Sequence, residues 1–227
     1  NRKEDLRMIS ATYIDHMGSD LSVVNAARVS FGKKSEAFLE GDAKLIKYLA
    51  KHKHISPFGH CFASFHVKAP IFVARQLVKH KFLRWNEVSR RYVDDEPEFY
   101  VPDVWRGRSA DKKQGSEGEV KLGTLDEAIV SDSPYDALSA YKALLMSGVA
   151  PEQARMVLPQ STMTEWYWSG SLDAFADMCS LRCASDTQAE TQEVAWQIYH
   201  KMEDLFPVSW VALAARDAYP WRMFTDV

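Results

Sequence analysis

The sequence predicts an α+β fold: one helix-rich domain carrying a small mixed or antiparallel sheet. Three observations support this. Residues 62–67 and 162–168 alternate or are rich in aromatic and β-branched side chains, as half-buried strands are. Between and after them, apolar residues recur at helical spacing, most clearly over 135–146 and 187–205. No glycine-rich dinucleotide turn or phosphate-binding loop occurs that would mark a doubly wound parallel sheet. The 227 residues suffice for a substantial core, and 46% hydrophobic with 26% charged residues is an ordinary globular composition.

In chain order, Leu6, Met8, Ile9 and Tyr13 suggest a short first strand within 6–14. Asp20 or Ser22 caps a helix through Val23, Val24, Ala26 and Ala27. A second helix starts at Gly41 and Asp42 and carries Ala43, Leu45, Ile46, Leu49 and Ala50 on one face. His52, His54, Ser56 and Pro57 end it in a turn, and the strand through Phe62–Val67 runs on to Pro70. Residues 94–133 read as an irregular excursion, either a mobile surface loop or a binding lid. Helices follow from Tyr135 to Met146, closed by Gly148, and from Pro151 through Val157, stopped by Pro159. The strand Thr162–Trp168 then leads to helices from Ser171 or Asp173 to about Ala184, from Thr187 to Leu205, and from Pro207 through Ala215. Trp166, Trp168, Trp196 and Trp210 read as core aromatics.

A net charge of −3 excludes a general nucleic-acid binder, whose footprint is a basic surplus. Three cysteines, Cys61, Cys179 and Cys183, form no paired framework, and imply reduced thiols in a cytoplasmic setting. Neither the Cys179/Cys183 pair nor His52, His54 and His60 follows a metal-ligand spacing, so no metal is expected. No apolar leader and no run of membrane-spanning length is present.

Against that neutral background, residues 69–92 stand out: APIFVARQLVKHKFLRWNEVSRRY. Pro70 suits a first helical turn, and Ile71, Ala74, Leu77 and Val78 share one helical face. Periodicity persists to Phe82 and gives way to a polar loop with Arg84, Asn86, Glu87, Ser89, Arg90 and Arg91. Such a stretch is either the solvated charged face of an amphipathic helix or a site for an anionic, planar ligand. The charges continue past the helix into a segment bearing Trp, Asn and Ser, and the helix follows a strand directly. Both features favour the ligand site, where cations meet phosphate and amides meet sugar and base.

Lys79-His80-Lys81, seven residues, then Ser89, with Asn86-Glu87 and Arg91-Tyr92 in place, resembles the signature of flavin-dependent thymidylate synthases, whose usual form opens Arg-His-Arg. The likeness extends through His54 to His60, Phe65 to Gln76, Ala154-Arg155, Leu158-Pro159 and Leu181-Arg182. The resemblance implies that family's fold and a reaction in which dUMP becomes dTMP. Methylenetetrahydrofolate is the carbon donor and NADPH-reduced FAD the hydride source. It also implies a homotetramer with shared active sites, no nucleic-acid partner and no membrane. A pyrimidine deoxynucleotide hydroxymethylase and a non-catalytic nucleotide-binding homologue remain open alternatives.

Carried over by position, the resemblance assigns dUMP binding to Gln76, Glu87, Val88, Ser89, Arg90, Arg91, Arg155 and Arg182. Arg155 is offered to a neighbouring subunit, and Arg182 is the catalytic group that polarises the uracil. FAD contacts fall on Ser56, Lys79, His80, Lys81, Glu87, Ser171, Leu172, Asp173 and Asp177, with His54 at the folate and flavin channel. Departures from the family pattern are Lys79 and Lys81 for Arg, Arg84 for Ser, Arg90 for Gly, Gly59 for an acid, Asp177 for Asn and Asp186 for His. Lysine keeps the charge and loses the bidentate fork. Closely spaced Val208, Trp210, Val211, Leu213 and Ala214 suggest an apolar surface left for subunit contact.

Overall fold

The computed structural model describes residues 8–92, 95–110 and 115–214. Leu6 and Ala215, named above, lie outside those ranges. Its centre is a four-stranded antiparallel sheet in the order β1 (Ser10–Met17), β2 (Phe62–Pro70), β6 (Met163–Ser171), β3 (Arg84–Glu87). β2 pairs with β1 from Ser10↔Lys68 to Met17↔Phe62 and with β6 from Phe62↔Ser171 to Pro70↔Met163. Alternation does its expected work here. Ala63, Phe65, Val67 and Ala69 enter the core with Trp166 and Trp168, while His66, Lys68, Glu165 and Tyr167 line the other face. That second face is tied by His66 to Glu165 at 2.9 Å and by Lys68 to Glu98 at 2.6 Å.

Helices α1 (Asp20–Arg28), α2 (Glu40–Lys51), α6 (Leu172–Arg182), α7 (Ala189–Leu205) and α8 (Pro207–Ala214) join the sheet in one main core. A smaller cluster of Leu138, Tyr141 and Ala154 joins α4 (Thr124–Met146) to α5 (Pro151–Ala154). Gly148 closes α4 at φ 81°, a conformation that favours glycine. The N-cap of α1 is Ser19 rather than Asp20 or Ser22; Ser22 lies inside the first turn, where its Oγ accepts the Ser19 N–H at 3.0 Å. Asp20 does something else. Its carboxylate accepts the N–H groups of Val208 at 2.9 Å and Ser209 at 2.8 Å, and so caps α8 from across the fold. Asp42, fully buried, caps α2 through the Leu39 N–H and pairs with Arg28 at 2.6 Å.

Four expectations need correction. First, α3 (Ile71–Leu77) stops five residues before Phe82, and part of the expected polar loop is strand β3, hydrogen-bonded to β6 across Arg84↔Ser169 to Glu87↔Trp166. Trp85 explains why: it stacks on Trp166 at 4.2 Å and 19°, a contact worth about 1 kcal/mol beyond burial, and pulls its segment onto the sheet. Second, 94–133 is not irregular throughout. It holds the hairpin β4 (Arg106–Arg108) and β5 (Ser116–Glu119), and α4 begins at Thr124, with Pro134 buried inside the helix. Third, the first strand lies later, at Ser10–Met17, and β6 runs on to Ser171. Fourth, Trp210, Leu213 and Ala214 are buried within the chain's own core, so they form no surface for a neighbour.

Candidate functional site

The stretch between α3 and β3 is held down by a close backbone approach. A Cβ on Gly170 would meet Leu83 Cδ2 at 2.4 Å and the Phe82 carbonyl at 3.3 Å, so the Leu83 side chain would have to move for any larger residue there. This seats His80 beneath Arg182, which projects from the last turn of α6. Arg182 Nε donates to His80 Nε2 at 3.1 Å, and one terminal nitrogen, Nη2, donates to the Gln76 carbonyl at 3.2 Å. Among the described residues Nη1 has no hydrogen-bond partner. Burial, then the Arg182 charge, depresses the His80 pKa to about 4, so its ring is neutral at pH 7 and accepts through Nε2. Burial also draws the Arg182 pKa below its usual value. The result is a guanidinium fixed at two nitrogens, with a third donor spare.

The Gln76 side chain is fixed as well. Its Nε2 donates to Gln188 Oε1, and its Oε1 accepts from Thr191 Oγ1 at 3.2 Å. Glu87 is held at both oxygens, by Thr164 Oγ1 at 2.8 Å and Trp85 Nε1 at 3.1 Å. Ser89 Oγ accepts from Arg91 Nε at 3.0 Å, Arg91 lies over the Tyr92 ring at 5.0 Å, and Arg90 Nη1 donates to the Asp95 carbonyl at 3.0 Å. Val88, Lys79 and Lys81 are exposed. Arg155 is exposed too, with its Nε on the Glu152 carbonyl, and shares no hydrogen bond with the Arg182 cluster.

A cleft of about 1140 Å³ lies along the other side of α6, lined by Lys47, Lys51, Lys53, Ile55, Asp173 and Asp177 with apolar residues of α6 and α8. Its size is of the order that organic cofactors occupy. Among the described residues Asp173 Oδ1 is buried without a hydrogen-bond partner, which is the observation that fits a ligand bearing N–H or hydroxyl groups. Lys53 takes a left-handed φ of 59° and closes α2 there. Ser171 is the N-cap residue of α6, yet its side chain makes no capping bond. Leu172 is fully buried, so its side chain offers nothing to a ligand. Ser56 and His54 are exposed beside Ile55; the His54 ring stands 6.2 Å from Tyr48.

The structure thus joins Gln76, His80 and Arg182 into one bonded group and gathers Asp173 and Asp177 into the cleft. Sequence reasoning missed Gln188, Thr191 and Glu190, read only as helix-start residues, and the three lysines of the cleft. Their signal is a convergence of polar residues that adjoin only after α3 and α7 pack.

Cations and polar side chains at the β3 edge of the sheet, with a cofactor-sized cleft across α6, make up the candidate site. The sequence pattern of the thymidylate synthase complementing protein family matches residues 12–208. The chain belongs to that family. It is 43% identical over 202 residues to a flavin-dependent thymidylate synthase of Thermus thermophilus, covering 88% of this chain and 73% of that one. The Thermosipho africanus flavin-dependent thymidylate synthase is 40% identical, with 86% of each chain covered. A crystal structure of the UMP/dUMP methylase PolB from Streptomyces cacaoi, bound with 5-Br dUMP, superposes with a TM-score of 0.82 at 34% identity, covering 91% of this chain and 95% of that one.

Proposed function

We propose that this chain is an enzyme that methylates dUMP to dTMP with a flavin as its cofactor. The flavin is read as FAD, with methylenetetrahydrofolate as carbon donor and NADPH as reductant. The observation that carries this reading is the Arg182 guanidinium, held by a neutral His80 and the Gln76 carbonyl with its Nη1 nitrogen left for a ligand. A uracil losing its N3 proton develops negative charge, and a fixed guanidinium in a partly buried setting stabilises such charge. Ser89 and Arg91 bind the nucleotide, and Ser89 serves as a hydrogen-bonding group rather than a nucleophile. When bound, the flavin supplies the hydride; the chain supplies orientation and charge. Lys47, Lys51 and Lys53 suit a diphosphate, and Asp173 suits a ring N–H or a ribose hydroxyl, so the cleft residues fit FAD.

We read the active protein as a homotetramer. Phe82 and Tyr92 are 81% and 78% exposed at the two ends of the arginine-bearing stretch, and Met156 is 77% exposed beside Arg155. Apolar side chains placed next to ligand-binding cations are what a subunit boundary through the site requires. That arrangement supports a role for Arg155 in a neighbour's site.

Incubating purified protein with dUMP, labelled methylenetetrahydrofolate, NADPH and FAD tests the proposal, with products resolved by mass. Labelled dTMP is expected. A hydroxymethylated product would establish the related transferase reading, and nucleotide binding without turnover the non-catalytic one. UMP is to be run in parallel, because the likeness to a UMP/dUMP methylase favours a site that also tolerates the ribonucleotide.

A further inference from the structure

The segment joining α1 to α2 presents large apolar side chains to solvent from a tightly fastened backbone. Val29 is 71% exposed, Phe31 79% and Leu39 63%, with Phe38 at 38%. None of this is slack chain. Val29–Phe31 form a turn of 3-10 helix closed by Gly32 at φ 62°. The Ser35 N–H donates to Asn25 Oδ1 at 2.7 Å, and Asn25 Nδ2 donates back to the Ser35 carbonyl at 3.0 Å. Arg28 donates to Ser35 Oγ and to Asp42 Oδ1, and the second Asp42 oxygen accepts the Leu39 N–H at 2.9 Å. One fully buried carboxylate thus ties the residue before Val29 to Leu39.

Single exposed apolar side chains are ordinary, but here four large ones fall within residues 29–39 on a loop pinned so that it cannot fold them away. The homotetramer reading says what meets them. Closed tetramers of identical chains commonly have D2 symmetry, in which each chain uses different self-complementary patches for its different neighbours. Phe82, Tyr92 and Met156 account for one patch. The outer face of α4 is a poor choice for another. Exposed Asp126, Glu127, Asp132 and Asp136 lie among its exposed apolar residues, and a two-fold axis would bring those acids toward their own copies. The α1–α2 segment instead carries Lys33 and Lys34 with Glu36 and Glu40, all exposed. Two charges of each sign let a second copy set unlike charges opposite one another.

We propose that Val29, Phe31, Phe38 and Leu39 form a second subunit interface, in which this segment packs on the same segment of another copy of the chain across a two-fold axis. The pairing rests on the homotetramer reading and adds to it the face that joins one dimer to the other.

The test uses Phe31→Glu and Leu39→Glu in the full chain, which set like charges against their own copies across the axis without touching the core. Exposed positions of this kind tolerate substitution with little loss of stability. Mass photometry at micromolar concentration with FAD should show the parent as a tetramer and each variant as a dimer. Met146→Glu, at an 89% exposed position on α4, should stay tetrameric. Far-UV circular dichroism and a urea midpoint establish that each variant is folded; if one fails to fold, the other decides. A folded variant that remains tetrameric overturns the pairing, even with lowered stability, since the chain would then be covering the patch itself. Monomeric variants overturn it too, because no separate first interface would remain. So does a dimeric Met146→Glu. A parent that is no tetramer removes the homotetramer reading together with the pairing, whereas a tetrameric parent with tetrameric variants removes the pairing alone.

Discussion

Replacing Arg182 by alanine is the perturbation that bears most directly on the proposed chemistry. The guanidinium is half-buried, with Nε on His80 at 3.1 Å and Nη2 on the Gln76 carbonyl at 3.2 Å. Losing these two hydrogen bonds should lower stability by only about 1–2 kcal/mol, because neither partner sits deep in the core. Losing the N–H groups left free for the substrate should matter far more for rate. A positioned donor facing developing charge contributes about 3–4 kcal/mol, so turnover should fall ~100- to 1,000-fold while dUMP binding weakens much less. Arg182→Lys keeps a charge but cannot span both anchors and the substrate, and should fall between parent and alanine variant. There is an independent reporter. The His80 pKa is held near 4 first by burial and then by the Arg182 charge, so in Arg182→Ala it should rise part of the way toward 6.5, measurable by NMR titration. Single-turnover formation of dTMP with saturating ligands is the rate assay. Activity within threefold of the parent, with His80 unchanged, would refute the role given to this arginine.

Cys61→Ala, Cys179→Ala and Cys183→Ala should each keep most activity, and a dead cysteine variant would point to a different reaction class; Cys61, buried with its thiol pushed up to about 11, should also resist alkylation at pH 8 in the native protein. With FAD seated in one subunit's cleft and reached by Lys79 and Lys81 of a neighbour, as the family resemblance implies, Lys79→Ala with Lys81→Ala should weaken FAD binding yet leave dUMP binding measurable by calorimetric titration, whereas loss of dUMP with FAD retained would reverse the two assignments. His80 is neutral in the fold and protonates near pH 6.5 when unfolded, so the stability it contributes is complete above about pH 6.5 and lost as pH falls toward 4. Allowing for solvent screening of a half-exposed ring, urea midpoints should register a loss of ~1 kcal/mol that His80→Gln abolishes. Mass photometry at micromolar concentration with FAD should show a tetramer, and a persistent monomer would remove the interface role given to Phe82, Tyr92 and Met156.

The elements with a clean period were legible from residues alone. β2 alternates along its length, α7 keeps its 3.6-residue spacing, and both stand where the pattern placed them. Where expectation failed, a tertiary contact overrode a local signal. The run after α3 keeps apolar residues at helical spacing through Phe82, but Trp85 gains more by stacking on Trp166 than a longer helix gains by continuing. The helix expected from Tyr135 begins eleven residues earlier, at Thr124, and Pro134, usually a helix boundary, lies buried within it. Asp20 stands at the head of its own helix, and nothing local reveals that its carboxylate serves a helix 188 residues on.

The site divides along the same line. Residues within 76–91 are close in sequence and chemically conspicuous, so both the charge pattern and the family resemblance found them. What gives those residues fixed directions comes from elsewhere: Thr164 on β6 for Glu87, Arg182 on α6 for His80, and Gln188 and Thr191 at the head of α7 for Gln76. Apart from Arg182, which the resemblance marks, each is an ordinary polar residue near the end of a secondary-structure element, where helix capping or solvent exposure would account for it equally well. Only the packing of α3 against β6, α6 and α7 turns them into partners. The family resemblance thus marks Gln76 as a nucleotide-binding position from sequence, an assignment that the dUMP titrations test. The partners that fix its amide, Gln188 Oε1 and Thr191 Oγ1, lie 112 and 115 positions further along the chain, and only the fold brings them within reach.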